Sequence, residues 1–388
     1  MTTLIAKPEK TVSLSITAGS IVLSSLVLLT LLGVLAGLAR LVLGLGATTG
    51  LNDGYSWGIW IGFDFVLIAF SGAGFTMAAI AHVLRLHRFE PAVRPAILAG
   101  LMGYTTVLVL LLLDLGRPDR FYHFLLYWNL HSPLFEISLC ILFYSTVLAI
   151  ETAPFLLERL KWPKLVRFLQ KFMMVVAITG VTLSSLHQST LGTLYLNMPH
   201  RLDPLWYSPA LPLLFFVSSI MAGLSMAMLA YYVAASILGQ KVKAEVLHGL
   251  AAGAAWVTLL YILLKLGEFA VAGELPALFS FDSMSQLMWL ELGLGAVAPF
   301  LLWLIPAIRR HRMGQWLTPG LILFGVLFNR FSATLLAQTP PAGTPPYSAH
   351  ILEWLSTLGI IAGAALAWYI AVRWLVIFED TGKAGRHA

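Results

Sequence analysis

Ten long apolar runs, separated by short polar breaks, make up nearly the whole chain. Crossing ~30 Å of hydrocarbon takes ~20 helical residues. Runs of that length lie at 16–45, 56–87, 92–115, 133–158, 164–190, 208–239, 244–271, 284–310, 316–337 and 350–377. The pattern predicts an all-α integral membrane protein of about ten transmembrane helices, one polytopic domain over 1–388. None of the breaks is long enough for an extramembrane domain. One break has content of its own. Gly116 stops the third helix, and Pro118 opens a stretch to Trp128 in which aromatics interleave with Asp119, Arg120 and His123. That mixture suits a short amphipathic helix in the headgroup layer.

Composition agrees. The chain is 59% hydrophobic and 11% charged, which cannot cover a water-exposed surface. Lys7 and Lys10 precede an apolar stretch too long for a signal core, so a first spanning helix is expected there. The single cysteine, Cys140, excludes a disulfide framework, a cysteine-ligated iron–sulfur cluster and covalent haem attachment within the chain.

A net charge of +6 raises nucleic acid as a partner until the basic residues are placed. Lys7, Lys10, Arg85, Arg88, Arg94, Arg159, Lys161, Lys164, Arg167, Lys171, Lys241, Lys243, Arg309, Arg310, Arg312, Arg373, Lys383 and Arg386 all fall at one end of the helices, 18 of the 24 basic residues. Loops rich in lysine and arginine stay cytoplasmic. The expectation is the cytoplasmic (inner) membrane, both termini cytoplasmic, with no nucleic acid. The opposite, outer face has Asp53, Asp119, His123, His131, His200, Arg201, Asp203, Glu274 and Asp282.

Ionisable groups inside a bilayer are costly and mark pathways or sites. Here they are one-sided in depth. Asp64, Asp114, Glu136, His187, Lys265, Glu268, Glu291 and Arg330 lie in the outer half, and only His82 and Glu151 stand out in the inner half. Ion pairs that lock helices together compete with function, most directly for Lys265 and Glu268, three residues apart on one helix. Asp64, Glu136 and His187 bring acid and imidazole to a similar depth from three helices, and histidine is suited to moving protons near neutral pH. A polar basin near one face fits a ligand that enters from lipid and exchanges protons with that side. A bis-histidine haem would need histidines paired at matched depth, and the mid-membrane zone offers none. No metal-binding, nucleophile-elbow or phosphate-loop motif appears.

Several motifs together resemble the NrfD-like family of membrane subunits, in its ten-helix branch that includes HybB, HmcC and DsrP. They are Leu51-Asn52-Asp53-Gly54-Tyr55-Ser56-Trp57-Gly58-Ile59-Trp60-Ile61-Gly62-Phe63-Asp64, Arg94-Pro95-Ala96, Asp114-Leu115-Gly116-Arg117-Pro118-Asp119-Arg120-Phe121, Ser132-Pro133-Leu134-Phe135-Glu136 and His187-Gln188-Ser189-Thr190-Leu191-Gly192-Thr193-Leu194. The resemblance implies two four-helix bundles, helices two to five and six to nine, plus two flanking helices. It also implies a subunit without haem, iron–sulfur cluster or other redox metal. Such a subunit exchanges electrons between a quinone (menaquinone or ubiquinone) and a ferredoxin-like iron–sulfur protein on the outer face. That partner serves a catalytic module such as a NiFe hydrogenase, a multihaem cytochrome c or a molybdopterin subunit.

The residues then take expected roles. His187 is the first candidate for a hydrogen bond to a quinone carbonyl, with Asp64, Asp114, Arg117 and Glu136 shaping charge and proton access. Trp57 and Trp60 offer flat apolar surface for the ring, although tryptophans also collect at membrane interfaces. Glu136, Tyr144 and Glu151 recur along the fourth helix as a candidate proton stripe, and Glu268, Glu291 and Arg330 are further proton-transfer candidates. Against the stripe, Glu151 also suits a position among cytoplasmic headgroups beside Arg159. Two rival classes stay open: a stand-alone proton- or ion-coupled transporter, and a purely structural anchor for a peripheral redox enzyme.

Overall fold

A computed structural model describes residues 18–378; Lys7, Lys10, Lys383 and Arg386 lie outside them. Among the described residues ten helices are long and apolar enough to span a membrane: α1 (Gly19–Leu43), α2 (Ile59–Val83), α3 (His87–Asp114), α4 (Pro133–Arg159), α5 (Pro163–Leu196), α6 (Leu211–Ile237), α7 (Ala244–Ala272), α8 (Ser283–Leu304), α9 (Arg312–Leu336) and α10 (Ile351–Trp374). The starts follow local chemistry. Pro133 and Pro163 occupy first-turn positions where no backbone N–H is needed. Ser132 caps α4 by accepting from the Phe135 N–H, and His350 with Glu353 forms a capping box on α10.

The packing resolves into two closed rings. In the first, α2 meets α3, α3 meets α4, α4 meets α5, and α5 returns to α2. In the second, α6, α7, α8 and α9 close in the same way. The rings share a face in which α6 packs on α2, α3 and α5 while α9 packs on α2. The first and last helices flank the rings together. They pair with each other, and α10 rests against α3 and α2. Small residues allow that pairing, because a Cβ built on Gly33 would fall 2.5 Å from the Gly359 Cα. The remaining faces of α1 present Ile21, Val22, Leu28, Leu31, Leu35 and Val42, the apolar surface a lipid-facing helix needs.

The spans are not uniform α-helix. α2 is interrupted at Ser71 and ends in a π-helical stretch, Ala79–Val83. α8 is π-helical over Trp289–Val297, and α9 closes with Ser332–Leu336 in the same form. π turns occur preferentially at functional sites. None of these segments is unwound, so the discontinuous helices of an alternating-access transporter are not seen among the described residues.

Both ends are tied off. At the end opposite the basic residues Arg201 donates to the Gly54 carbonyl, Asp203 N–H to Ala337 and Thr339 N–H to Arg201. At the basic end Arg94 pairs with Glu158 at 2.6 Å, donates to the Val376 carbonyl and stacks on Phe155. The connector after α3 holds two short helical turns, Pro118–Arg120 and His123–Leu126, with Phe121, Leu126, Tyr127, Trp128 and Leu130 exposed.

Candidate functional site

The interior of the first ring is built from polar groups that the protein leaves without partners. His187 of α5 is fully buried, and neither ring nitrogen makes a hydrogen bond within the protein. Its ring lies 5.9 Å from that of Tyr104 on α3, which in turn meets Tyr144 of α4 edge-on at 4.8 Å. Ser184, one turn before His187, is within interaction range of both phenols. Yet the two phenol oxygens and the Ser184 hydroxyl are buried and unbonded.

Depth follows from α5. That helix continues to Leu196, so His187 lies nine residues inside the end opposite the basic residues. Gln188 donates its amide to the Ile68 carbonyl of α2 at 2.9 Å. Ile68 is one turn inward of Asp64, about 6 Å along the axis, which sets His187 roughly one turn below Asp64.

Asp64 marks the end of this interior away from the basic residues. It is 1% exposed, and both carboxylate oxygens lack partners. It interacts electrostatically with Asp114 at the end of α3, which interacts in turn with Arg40 of α1. Arg40 is 2% exposed; one terminal nitrogen donates to the Leu115 carbonyl at 2.6 Å, while Nε has no acceptor. Sequence reasoning missed Arg40, although one arginine inside an otherwise apolar first helix was the signal. It also missed Glu353, fully buried on α10, which accepts from Gly50 and His350 N–H and from the Tyr347 hydroxyl.

The end toward the basic residues is Glu151 of α4. It is 2% exposed, both its oxygens are unbonded, and it interacts electrostatically with Tyr144. The headgroup position beside Arg159 is therefore not where this carboxyl sits. Tyr144 and Glu151 are seven residues apart, about 10 Å along the axis, on one face of the helix. Asp64, His187, Tyr104, Tyr144, Ser184 and Glu151 together leave nine buried polar atoms unbonded in one ring. Each orphan costs about 1–3 kcal/mol.

Other candidates fall outside this interior. Glu136 is exposed and accepts from Thr190 at 2.7 Å; eight residues before Tyr144 it is turned about 80° away, so the expected three-residue stripe reduces to two. Arg117 is exposed and makes two hydrogen bonds of 3.1 Å to Asp119, which hold that carboxyl below its ordinary range. Trp60 is fully buried and donates to the Ser356 hydroxyl at 3.0 Å, so it joins α2 to α10 instead of lining an open surface. Trp57 is partly buried and packs edge-on against Phe65 and Tyr195.

The second ring has buried charge too, but it is bonded. Lys265 meets Glu268 at 2.9 Å, donates to the Leu205 carbonyl and lies over Phe269. Glu291 accepts from Trp206 and from Asn329, both at 2.7 Å. Arg330 donates to Asn329, to Ser218 at 2.9 Å and to the Phe215 carbonyl, with its guanidinium 3.7 Å from the Phe215 ring. Glu268, Glu291 and Arg330 thus belong to two ion-pair and hydrogen-bond networks. Among the described residues no group of three histidine, cysteine or acidic side chains converges as a metal site.

Comparison with known proteins adds an independent line. Residues 47–340 match the family model described as polysulphide reductase, NrfD. The chain is 30% identical to the probable Ni/Fe-hydrogenase 2 b-type cytochrome subunit of Escherichia coli, over 87% of this chain and 87% of that protein. It is 27% identical to the menaquinone reductase integral membrane subunit of Nitratidesulfovibrio vulgaris, over 91% of this chain and 90% of that one. It is 23% identical to a selenate reductase subunit of Mesobacillus selenatarsenatis, over 84% of this chain and 86% of that one.

Proposed function

The chain belongs to the NrfD family of multi-pass membrane proteins, and from that premise we propose that it is the quinone-interacting membrane subunit of a respiratory oxidoreductase complex. It exchanges electrons between menaquinone or ubiquinone and an iron–sulfur partner on the outer face, which serves a hydrogenase, cytochrome c or molybdopterin module. The membrane is the cytoplasmic one, with the basic helix ends inside.

The observation that carries this reading is the contrast between the rings. Buried polar groups are normally satisfied, and the buried ionisable side chains Lys265, Glu268, Glu291 and Arg330 of the second ring each have a hydrogen-bond or ion-pair partner. Those of the first ring are orphaned, at a depth one turn apart for Asp64 and His187 on neighbouring helices. A structural anchor has no use for unsatisfied groups, whereas a site for a polar-headed lipid-soluble substrate needs them. Quinone reduction consumes two electrons and two protons. In this reading His187 hydrogen-bonds a headgroup carbonyl. Asp64 and Asp114, with Arg40 as counter-charge, hold and exchange protons at the outer end. Tyr104, Ser184, Tyr144 and Glu151 extend the polar interior toward the basic side and move protons across the membrane. Phe65, Trp57 and Tyr195 supply aromatic surface beside the outer end.

Haem fits these residues poorly despite the name of the Escherichia coli relative. His187 lies against the Tyr104 ring, and His82 and His248 sit near the basic ends of other helices. The direct test is to purify the chain under mild detergent from its native host. The expected result is co-purification of an iron–sulfur protein and extractable quinone; a chain that purifies alone and quinone-free contradicts the proposal.

A further inference from the structure

Tyr261 of α7 is buried in the second ring, and its hydroxyl makes no hydrogen bond within the protein. It interacts electrostatically with Glu291 of α8 and Arg330 of α9, so it faces their bonded network without joining it. A small cavity lies at this point, lined by the polar side chains of Tyr261, Glu291, Asn329 and Ser218, with Met221 of α6 beside them. It has room for about one water molecule and for nothing larger.

The backbone explains where the cavity sits. α8 is π-helical over Trp289–Val297, and within that stretch Gly295 lies directly against Gly325 of α9. A Cβ on Gly295 would fall 2.2 Å from the Gly325 Cα, so the two helices touch through their main chains. Both glycines border the cavity, while Ser218 and Met221 reach it from α6 and Tyr261 from α7. Four helices therefore converge on it. Tyr261 lies eleven residues inside the α7 end at Ala272, and Asn329 lies seven inside the α9 end at Leu336. At ~1.5 Å per residue the site is roughly 10–16 Å below that surface.

The lining groups keep hydrogen-bonding capacity to spare. Glu291 accepts one bond at each oxygen, from Asn329 and from Trp206, and each oxygen can accept another. Asn329 gives one of its two amide hydrogens to Glu291. The Ser218 hydroxyl donates to the Phe215 carbonyl and accepts from Arg330, with a second lone pair left over. A buried water needs two to four polar partners, and a polar pair too far apart to bond directly is what a water spans. We propose that this cavity binds one ordered water, which accepts from the Tyr261 hydroxyl and donates to the Glu291 carboxylate. Asn329 and Ser218 border its remaining sites. The water ties α7 into the network that Glu291, Asn329 and Arg330 build between α8 and α9. The inference is independent of the quinone site, which uses none of these residues.

The test is hydroxyl-radical footprinting by X-ray radiolysis of the full-length chain, with any subunits that accompany it, read by mass spectrometry against an unirradiated sample. Radicals formed from a bound water oxidise the side chains that touch it. Met221 lines the cavity and is 2% exposed, whereas Met288 of α8 is fully buried and lies outside it. Met221 should therefore gain oxygen at least fivefold faster than Met288. Equally slow oxidation of the two overturns the proposal, and this comparison does not depend on any variant folding. Tyr261→Phe removes one partner of the water, so it should slow Met221 oxidation and lower the unfolding temperature by a few degrees. Wild-type oxidation of Met221 in that variant, or an unfolding temperature unchanged or raised, overturns the proposal equally.

Discussion

Tyr104 and His187 face each other across the first ring with ring centres 5.9 Å apart, and no polar atom of either side chain has a hydrogen-bond partner in the protein. A packed helical core does not retain such a pair for stability, since a phenylalanine and a leucine would avoid the desolvation cost. Tyr104→Phe should accordingly leave the thermal stability of the purified complex unchanged or raised, while quinone-linked turnover falls severalfold. A clear loss of stability in Tyr104→Phe would mean that the hydroxyl is structurally bonded.

Glu151 and Glu136 should separate cleanly. With the complex in proteoliposomes, membrane potential during quinone turnover should drop to the level set by outer-face proton exchange in Glu151→Gln. Glu136→Gln should behave as wild type, because Glu136 is turned away from Tyr144. Undiminished potential in Glu151→Gln removes the inner part of the proton route.

Lys265 and Glu268 give the opposite kind of prediction. Removing one partner of a buried ion pair costs about 3–5 kcal/mol, whereas replacing both with apolar residues is often neutral. Lys265→Met should therefore lower the unfolding temperature markedly, and Lys265→Met with Glu268→Leu should recover most of it with quinone turnover intact. A stable but inactive double variant would return Glu268 to the proton-transfer groups.

The number and placement of the spans were legible in the sequence because runs of ~20 apolar residues admit few other structures. So was the bias of the buried charges toward the end opposite the basic residues. What periodicity did not convey was the partner of each charge. Glu291 and Arg330 read like Asp64 and His187 in sequence, yet Trp206, Asn329 and Ser218 satisfy the first two and nothing in the protein satisfies the last two. Most of those contacts span long stretches of chain, from Trp206 in the connector before α6 to Glu291 and from Ser218 of α6 to Arg330. Arg40 was hidden for the same reason, since its relation to Asp114 exists only once α1 lies beside the end of α3. Trp60 reads as open ring-binding surface because the packing of α10 on α2, which brings Ser356 within reach, leaves no local mark in the second helix.

The pairing of the first and last helices is itself testable. Gly359→Leu should force α10 away from Gly33 and reduce the yield of assembled protein, and Gly33→Leu should do the same. Normal yield and stability in both would mean that α1 is free of α10.

Haem content distinguishes this reading from the one the relative's name suggests. A pyridine haemochrome assay on the purified chain should detect no stoichiometric b-type haem; one haem per chain would contradict the haem-free reading.

The most direct measurement compares two electron acceptors in the assembled complex. In His187→Ala and in Asp64→Asn, reduction of a soluble artificial acceptor by the catalytic partner should match wild type. Quinone-linked turnover should fall by roughly 10- to 150-fold, the loss of one charge-assisted hydrogen bond of about 1.5–3 kcal/mol. Wild-type quinone kinetics in both variants would contradict a quinone site between Asp64 and His187.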